Sequence, residues 1–270
     1  MARKNAIVKR LSSVETLGSA SVICSDKTGT LTKSEMTIEK VITPSVAVDI
    51  TGAGYDPTGE VLCDGEPLDD PELVEEVAFV LGGGSLASDA SIYREDGVWK
   101  ARGDPTEAAF LVAERKLGID EVRRRRFRRV GEVPFTPERK LMSTLEADAE
   151  RDGRIDVVVK GAPDVLLGRC SHERVRGEER PLTEERRREI LADVERLADL
   201  ALRTLAVAYR PLPDHEPPEP DESIERDPVY VGMVGIIDPP REEAIAAVKE
   251  CQPAVSPPTA LIRTRMPESV

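Results

Sequence analysis

Apolar residues recur at Ile7, Val8, Leu11, Val14 and Leu17, a spacing that predicts an amphipathic helix over 3–18 closed by Gly18. The short run Val22-Ile23-Cys24 then predicts a strand that opens into the polar loop Ser25-Asp26-Lys27-Thr28-Gly29-Thr30-Leu31-Thr32. Beyond it the pattern turns to strands: Met36-Thr37-Ile38 and Val46-Ala47-Val48-Asp49-Ile50 precede the turn-rich stretches Thr51-Gly52-Ala53-Gly54 and Asp56-Pro57-Thr58-Gly59. Asp70-Pro71-Glu72 predicts a helix start, and Leu73, Val74, Val77, Val80 and Leu81 supply its buried stripe as far as Gly82. The triple glycine Gly82-Gly83-Gly84 predicts a helix end running into a loop, and it lacks the G-x-x-x-x-G-K-[ST] spacing of a phosphate loop.

Asp104-Pro105-Thr106-Glu107 opens a second helix that closes at Leu117-Gly118, with Glu107 at the third position of a capping box. Val130 to Val133, Lys140 to Leu145 and Ile155 to Val159 predict three strands of an antiparallel sheet, the last two joined across the turn pair Asp152-Gly153. Thr183-Glu184-Glu185 caps a helix with Ile190, Val194, Leu197 and Ala201 inward, and Leu202 to Ala208 predicts the strand after it. The proline- and acid-rich segment Pro211 to Pro228 predicts an exposed loop. Tyr230 to Ile237 is a continuous apolar run, the pattern of a strand buried on both faces, and a helix over Glu242 to Cys251 follows.

Composition narrows the function classes. With 40% hydrophobic and only 3% aromatic residues, the core is built from Val, Leu, Ile and Ala, and the 33% of charged residues belong to a solvated surface. A net charge of −13 excludes non-specific attraction to nucleic acid or anionic lipid. The run Arg123-Arg124-Arg125-Arg126 with Arg128-Arg129 is the local exception and reads as a solvated helix face. Four scattered cysteines form no C-x-x-C pair, so neither a zinc site nor a disulfide framework is indicated, and only two histidines are present. Any metal is therefore a hard cation held by oxygen. No apolar run approaches the roughly 18 residues of a membrane span, so none is expected.

The chemistry concentrates on Asp26. A carboxylate at the carboxyl end of a strand is held rigidly yet stays reachable, and it can attack a phosphoryl group to form an aspartyl phosphate. Lys27, Gly29 and the hydroxyls of Thr28 and Thr30 surround the incoming charge. The octet from Ser25 to Thr32 closely resembles the phosphorylation motif of the P-type ATPases, the cation pumps that phosphorylate themselves on aspartate. Two further stretches resemble that family's nucleotide motifs: Pro134-Phe135-Thr136-Pro137-Glu138-Arg139-Lys140-Leu141-Met142-Ser143 and Lys160-Gly161-Ala162-Pro163-Asp164. An exposed Phe135 stacks on a purine, the ammonium groups of Lys140 and Lys160 offset phosphate charge, and Gly161 lets a ligand approach the backbone. Pro137 departs from the basic residue that many relatives carry.

The resemblance implies more than the residues do alone. It places Glu107 near the adenine, beside its capping reading, and Arg203 on an ATP phosphate, beside the reading as a surface arginine. It puts Asp238, in Asp238-Pro239-Pro240-Arg241, near the hinge and the nucleotide, with Arg241 among the nucleotide residues. It implies ATP and Mg²⁺ as cofactors, with Asp26 and Thr28 on the metal. The fold it implies is α/β: a partial haloacid-dehalogenase-like phosphorylation domain with a Rossmann-type parallel sheet, interrupted by an α+β nucleotide-binding domain on an antiparallel sheet. The expected boundaries are 1–33 and 230–251 for the phosphorylation domain, 34–229 for the insert and 252–270 for an atypical tail. The wording of the motifs is closest to the calcium and sodium/potassium pump branch, whose own membrane and actuator domains are the expected partners on the cytoplasmic face.

After Cys251 the resemblance stops, because Gln252-Pro253-Ala254-Val255-Ser256-Pro257-Pro258 breaks the helix, and the family's later Thr-Gly-Asp and Gly-Asp-Gly segments are missing. The expectation is a soluble fragment that binds ATP without turnover. Two alternatives remain. A stand-alone phosphatase of the haloacid-dehalogenase type shares the aspartate nucleophile but usually carries a second acid where Thr28 stands. A non-catalytic nucleotide-binding module needs no Asp26 chemistry at all.

Overall fold

The structure is a computed structural model that describes residues 25–213 and 217–251. The helix expected over 3–18, the strand over 22–24 and the tail from 252 lie outside the described residues. Two compact units divide the chain: Glu35–Pro239, and the flanking segments up to Ser34 and from Pro240.

The larger unit opens with β1 (Thr37–Ile42), β2 (Ala47–Ile50), β3 (Val61–Cys63) and β4 (Glu66–Pro67), followed by α1 (Pro71–Leu86). A separate hairpin, β5 (Ser91–Glu95) with β6 (Val98–Arg102), precedes α2 (Pro105–Leu117) and α3 (Asp120–Arg126). Then come β7 (Phe127–Val133), β8 (Leu141–Asp148), β9 (Arg154–Gly161) and α4 (Pro163–Arg169). The hairpin β10 (His172–Val175) and β11 (Glu178–Pro181), α5 (Glu184–Asp199), β12 (Arg203–Pro211) and β13 (Val229–Ile237) complete it.

The main sheet runs β4-β3-β2-β1-β13-β12-β9-β8-β7, with β10 and β11 attached beside β13. The meander β7-β8-β9 is antiparallel as expected, and Asp152 and Gly153 both take positive φ (58° and 75°) to turn the chain between β8 and β9. Alternation along β9 feeds two cores: Val158 packs with Val80, Leu81 and Phe110 under α1 and α2, while Val157 and Val159 pack with Leu166, Ile190 and Leu197 under α4 and α5. β13 does the same, sending Val234 and Ile236 to the first core and Tyr230 and Met233 to the second. A sheet buried on both faces explains why these strands read as unbroken apolar runs.

Two helix starts obey their caps. Asp70 accepts the Glu72 amide, Asp104 accepts those of Thr106 and Glu107, and both helices carry proline in the first turn. Gly118 ends α2 in the left-handed conformation.

Four expectations are corrected. First, α1 continues through Gly82-Gly83-Gly84 to Leu86 rather than ending at Gly82. The glycines serve close packing: a Cβ on Gly84 would lie 2.1 Å from the Phe110 ring and one on Gly83 2.8 Å from Val207 Cγ1. Second, the arginine run is only partly a solvated face. Arg123 pairs with Glu114, Arg126 grips Asp148 at 2.9 and 2.7 Å, and Arg129 reaches Asp89 at 2.6 Å and Glu146 at 3.4 Å; the Glu114, Asp148 and Glu146 side chains are at most 2% exposed. Burial raises the Glu114 and Glu146 carboxyls above the usual carboxylate range, and the arginines offset part of that rise. Third, the loop expected to be exposed from Pro211 to Pro228 contains a buried turn: Ile224 and Glu225, in a short 3₁₀ turn, are 4% and 1% exposed. Fourth, the 230–237 strand joins the larger unit's sheet, antiparallel to β1 and β12, in place of a parallel sheet of the flanking domain. Its extended pairing with β1, from Thr37↔Ile237 to Ile42↔Met233, accounts for that placement.

Helix α6 (Glu242–Cys251) belongs to the smaller unit. Cys170 is a core thiol, which burial pushes up to about 12, so it is inert at neutral pH.

The glycine argument gives a sharp test. Gly84→Ala should lose stability, because overpacking costs of about 1–3 kcal/mol exceed the helix-propensity gain of up to about 1 kcal/mol. Gly82→Ala, whose Cβ would meet nothing nearer than 3.9 Å, should be neutral or stabilising. Urea unfolding of both variants checks this, and the reverse ranking would refute the packing role.

Candidate functional site

In the smaller unit, Asp26 is exposed and stands just ahead of the turn Lys27–Leu31, and Lys27, Thr28 and Thr30 are exposed with it. Gly29 takes φ +75°, a conformation that a side chain disfavours, and this lets the loop fold back on itself. The buried Thr32 hydroxyl closes it, accepting the Gly29 amide at 3.1 Å and donating to the Lys27 carbonyl at 3.1 Å. Arg241 holds the same loop: its amide donates to Leu31 O at 2.8 Å, Nε to Thr32 O at 2.9 Å and Nη2 to Gly29 O at 3.3 Å. The guanidinium expected at the nucleotide thus shapes the backbone that presents Asp26.

In the larger unit, strand register gathers the other expected residues. The sheet end formed by the finish of β7, β9 and β13 and the start of β8 and β12 carries Phe135, Lys140, Gly161, Arg203 and Asp238. Phe135 is 57% exposed, free of the core that a scarce aromatic would ordinarily join. Its loop is a tight turn, with the Lys140 amide donating to Thr136 O at 2.8 Å and the Arg139 amide to Thr136 Oγ1 at 3.3 Å. Lys140 takes φ +56°, and its carbonyl accepts the Ala162 amide at 3.0 Å. A Cβ on Gly161 would sit 2.1 Å from that carbonyl, so the glycine is demanded by the crossing of two chain segments, whatever ligand lies beyond. Arg203 is exposed at the head of β12. Near Asp238, burial and then the charges of Glu35, Asp104 and Asp238 raise the Tyr55 phenol above its ordinary value.

Lys160 and Glu107 meet directly. Lys160 is 6% exposed, its Nζ lies 3.3 Å from Glu107 Oε1 and 5.4 Å from the centre of the Phe110 ring. Glu107 Oε2 accepts the Asp89 amide at 2.8 Å and the Ser88 hydroxyl at 3.4 Å. Only half of the expected capping box forms: Asp104 caps the helix, while the Glu107 carboxylate is aimed at Lys160 and the 88–89 turn. Burial pushes the Lys160 ammonium below the ordinary lysine value, and Glu107 offsets part of the push.

A contact with no local signal in the sequence also meets the Phe135 loop: Arg139 Nη1 donates to Glu225 Oε1 at 2.6 Å. Arg139 lay inside the quoted motif, whereas Glu225 sits in an acid-rich loop with nothing local to mark it. A 290 Å³ cavity lined by Ser85, Ser88, Arg123, Arg129 and Glu146 adjoins the 88–89 turn that contacts Glu107, and its Arg123 and Arg129 are already paired with carboxylates.

Fold and loop together define a class: an α/β unit built on an antiparallel sheet, inserted between two segments that carry an Asp-Lys-Thr-Gly-Thr turn. Residues 77–243 match the family model described as P-type ATPase, cytoplasmic domain N. The chain belongs to the P-type ATPase family. It is 40% identical over 258 residues to the calcium-transporting ATPase of Bacillus subtilis (strain 168), a match covering 94% of this chain and 28% of that protein. The cation-transporting ATPase pma1 of Synechocystis is 37% identical over 262 residues, with the same coverage of 94% and 28%. The calcium-transporting ATPase type 2C member 1 of Bos taurus is 34% identical over 250 residues, 92% of this chain and 24% of that protein. The chain therefore spans 24–28% of the length of these relatives. Among the described residues no helix is long and apolar enough to cross a membrane.

The Lys160–Glu107 pair has a pH signature. Folded Lys160 binds its proton less firmly than unfolded Lys160, so unfolding takes up protons between the lowered value and about 10.4, and stability rises with pH across that window. Removing both charges together, in Lys160→Met with Glu107→Gln, should leave the chain as stable as the parent or more so at about pH 8, with the gap narrowing as pH rises. Urea titrations across that range would show it; a large loss of stability or a widening gap would refute it.

Proposed function

We propose that the larger unit binds ATP, with the adenine on Phe135 and near Glu107, the phosphates toward Lys140, Lys160 and Arg203, and Asp238 near the nucleotide. The convergence of these residues on one sheet end is the observation that carries the reading. Phe135 offers an apolar ring to a purine face, and the cations offset phosphate charge. Arg241 acts on the phosphorylation loop rather than on the nucleotide.

For the whole pump, we propose that Asp26 is the phosphoryl acceptor, in a domain of haloacid-dehalogenase type. A carboxylate oxygen attacks the γ-phosphorus, the bond from that phosphorus to the β–γ bridging oxygen breaks, and ADP leaves with the electron pair. Lys27 and the Thr28 and Thr30 hydroxyls surround the transferred group. Asp26 and Thr28 offer the hard oxygen donors that Mg²⁺ accepts. Transport of a cation, and partnership with membrane and actuator domains, belong to the same proposal at the cytoplasmic face.

Titration calorimetry with ATP tests the reading on the chain itself. Phe135→Ala and Lys160→Ala should each weaken binding by about tenfold, and Asp26→Asn should leave it unchanged. Binding that ignores Phe135, or no binding at millimolar ATP, would refute the site.

A further inference from the structure

The Glu225 carboxylate is 1% exposed and accepts three side chains: Arg139 Nη1 at 2.6 Å, the Ser143 hydroxyl and Arg169 Nη1. These donors come from both nucleotide segments. Arg139 precedes Lys140 in the Phe135 loop, Ser143 lies at the start of β8, and Arg169 ends α4, the helix that opens directly after Lys160-Gly161-Ala162. Arg139 also donates through Nη2 to the Pro134 carbonyl, so its guanidinium bridges the start of the Phe135 loop to Glu225.

The turn that carries Glu225 is itself fixed. Ile224 inserts into the core with Leu141, Leu145 and Ile155, Asp221 accepts the Ser223 amide at 2.7 Å, and Arg210 Nη1 reaches the Ile224 carbonyl at 3.4 Å. A buried carboxylate with two guanidiniums and a hydroxyl around it is compensated only while all three partners stay in place. The turn 221–225 is therefore tied to the base of the Phe135 loop through Glu225.

We infer that Glu225 is a positioning residue for adenine recognition, acting through Arg139 to hold the 134–140 loop in its stacking-ready shape. This rests on the ATP reading above. Without the carboxylate, Arg139 keeps only the Pro134 carbonyl and an exposed Glu222 at 3.7 Å, and the ordering of the loop must be supplied by the ligand.

The test compares ATP with inorganic tripolyphosphate, which has no base to stack, on the parent chain, Glu225→Gln, Phe135→Ala and the double variant. Glu225→Gln should weaken ATP by about tenfold, leave tripolyphosphate unchanged, and have no further effect in the Phe135→Ala background. Hydrogen exchange of 134–140 should quicken while that of β9 does not. Arg139→Gln, at the other end of the same contact, should reproduce the effect and serves if Glu225→Gln does not fold. Unchanged ATP affinity, equal loss of tripolyphosphate, or additivity with Phe135→Ala overturns the inference. Failure of the parent chain to bind ATP overturns the site reading itself, and the two failures are distinct.

Discussion

Everything in the larger unit depends on a sheet that is covered on both faces. A strand in that position has no solvent to satisfy a polar side chain, so each such group must find a partner or impose a cost of several kcal/mol. The buried charges obey that rule: Lys160 with Glu107, Glu225 with Arg139 and Arg169, Asp148 with Arg126. Burial sorts them by consequence as well. Asp148 and Arg126 close a structural contact behind the β8–β9 hairpin, while Lys160 and Glu225 lie toward the sheet end where the expected nucleotide residues collect.

Lys160 illustrates the tension between stability and use. Neutral groups in place of both Lys160 and Glu107 would fill the space beside Phe110 without charges to desolvate, and replacement of buried pairs as a whole is often neutral or favourable. An ammonium that is only partly compensated is, by contrast, suited to a polyanionic ligand. On the proposed reading, retaining it trades some fold stability for electrostatic readiness at the nucleotide site.

Much of the fold was legible because periodicity and capping are local. Asp104 and Gly118 bounded α2, Asp152-Gly153 joined β8 to β9, and the apolar run before Asp238 announced a strand buried on both faces. The failures were non-local. Gly82-Gly83-Gly84 looks like a helix end until Phe110 and Val207 are found packed against it, and the arginine run looks solvated until Glu114 and Asp148 are found beneath it. The placement of 229–237 depended on which strand it would pair with, and no window along the chain contains Thr37 and Ile237 together. At the site, the motifs marked Phe135, Lys140 and Lys160, since their residue types carry the chemistry. The bonds of Glu107 to Lys160 and of Glu225 to Arg139, Ser143 and Arg169 join segments far apart in sequence.

The pairing of Thr37 with Ile237 bears on how such a chain is assembled. The larger unit begins and ends on adjacent strands, which lie about 4.8 Å apart, so once folded it presents its two termini side by side. To a host domain, a long insert whose ends are already joined by its own sheet resembles a short loop, and the closure entropy falls on the insert's folding rather than on the host's. The host then gains a large module at the topological cost of a hairpin. Both ends of the insert are thus fixed by one pair of neighbouring strands within its own sheet.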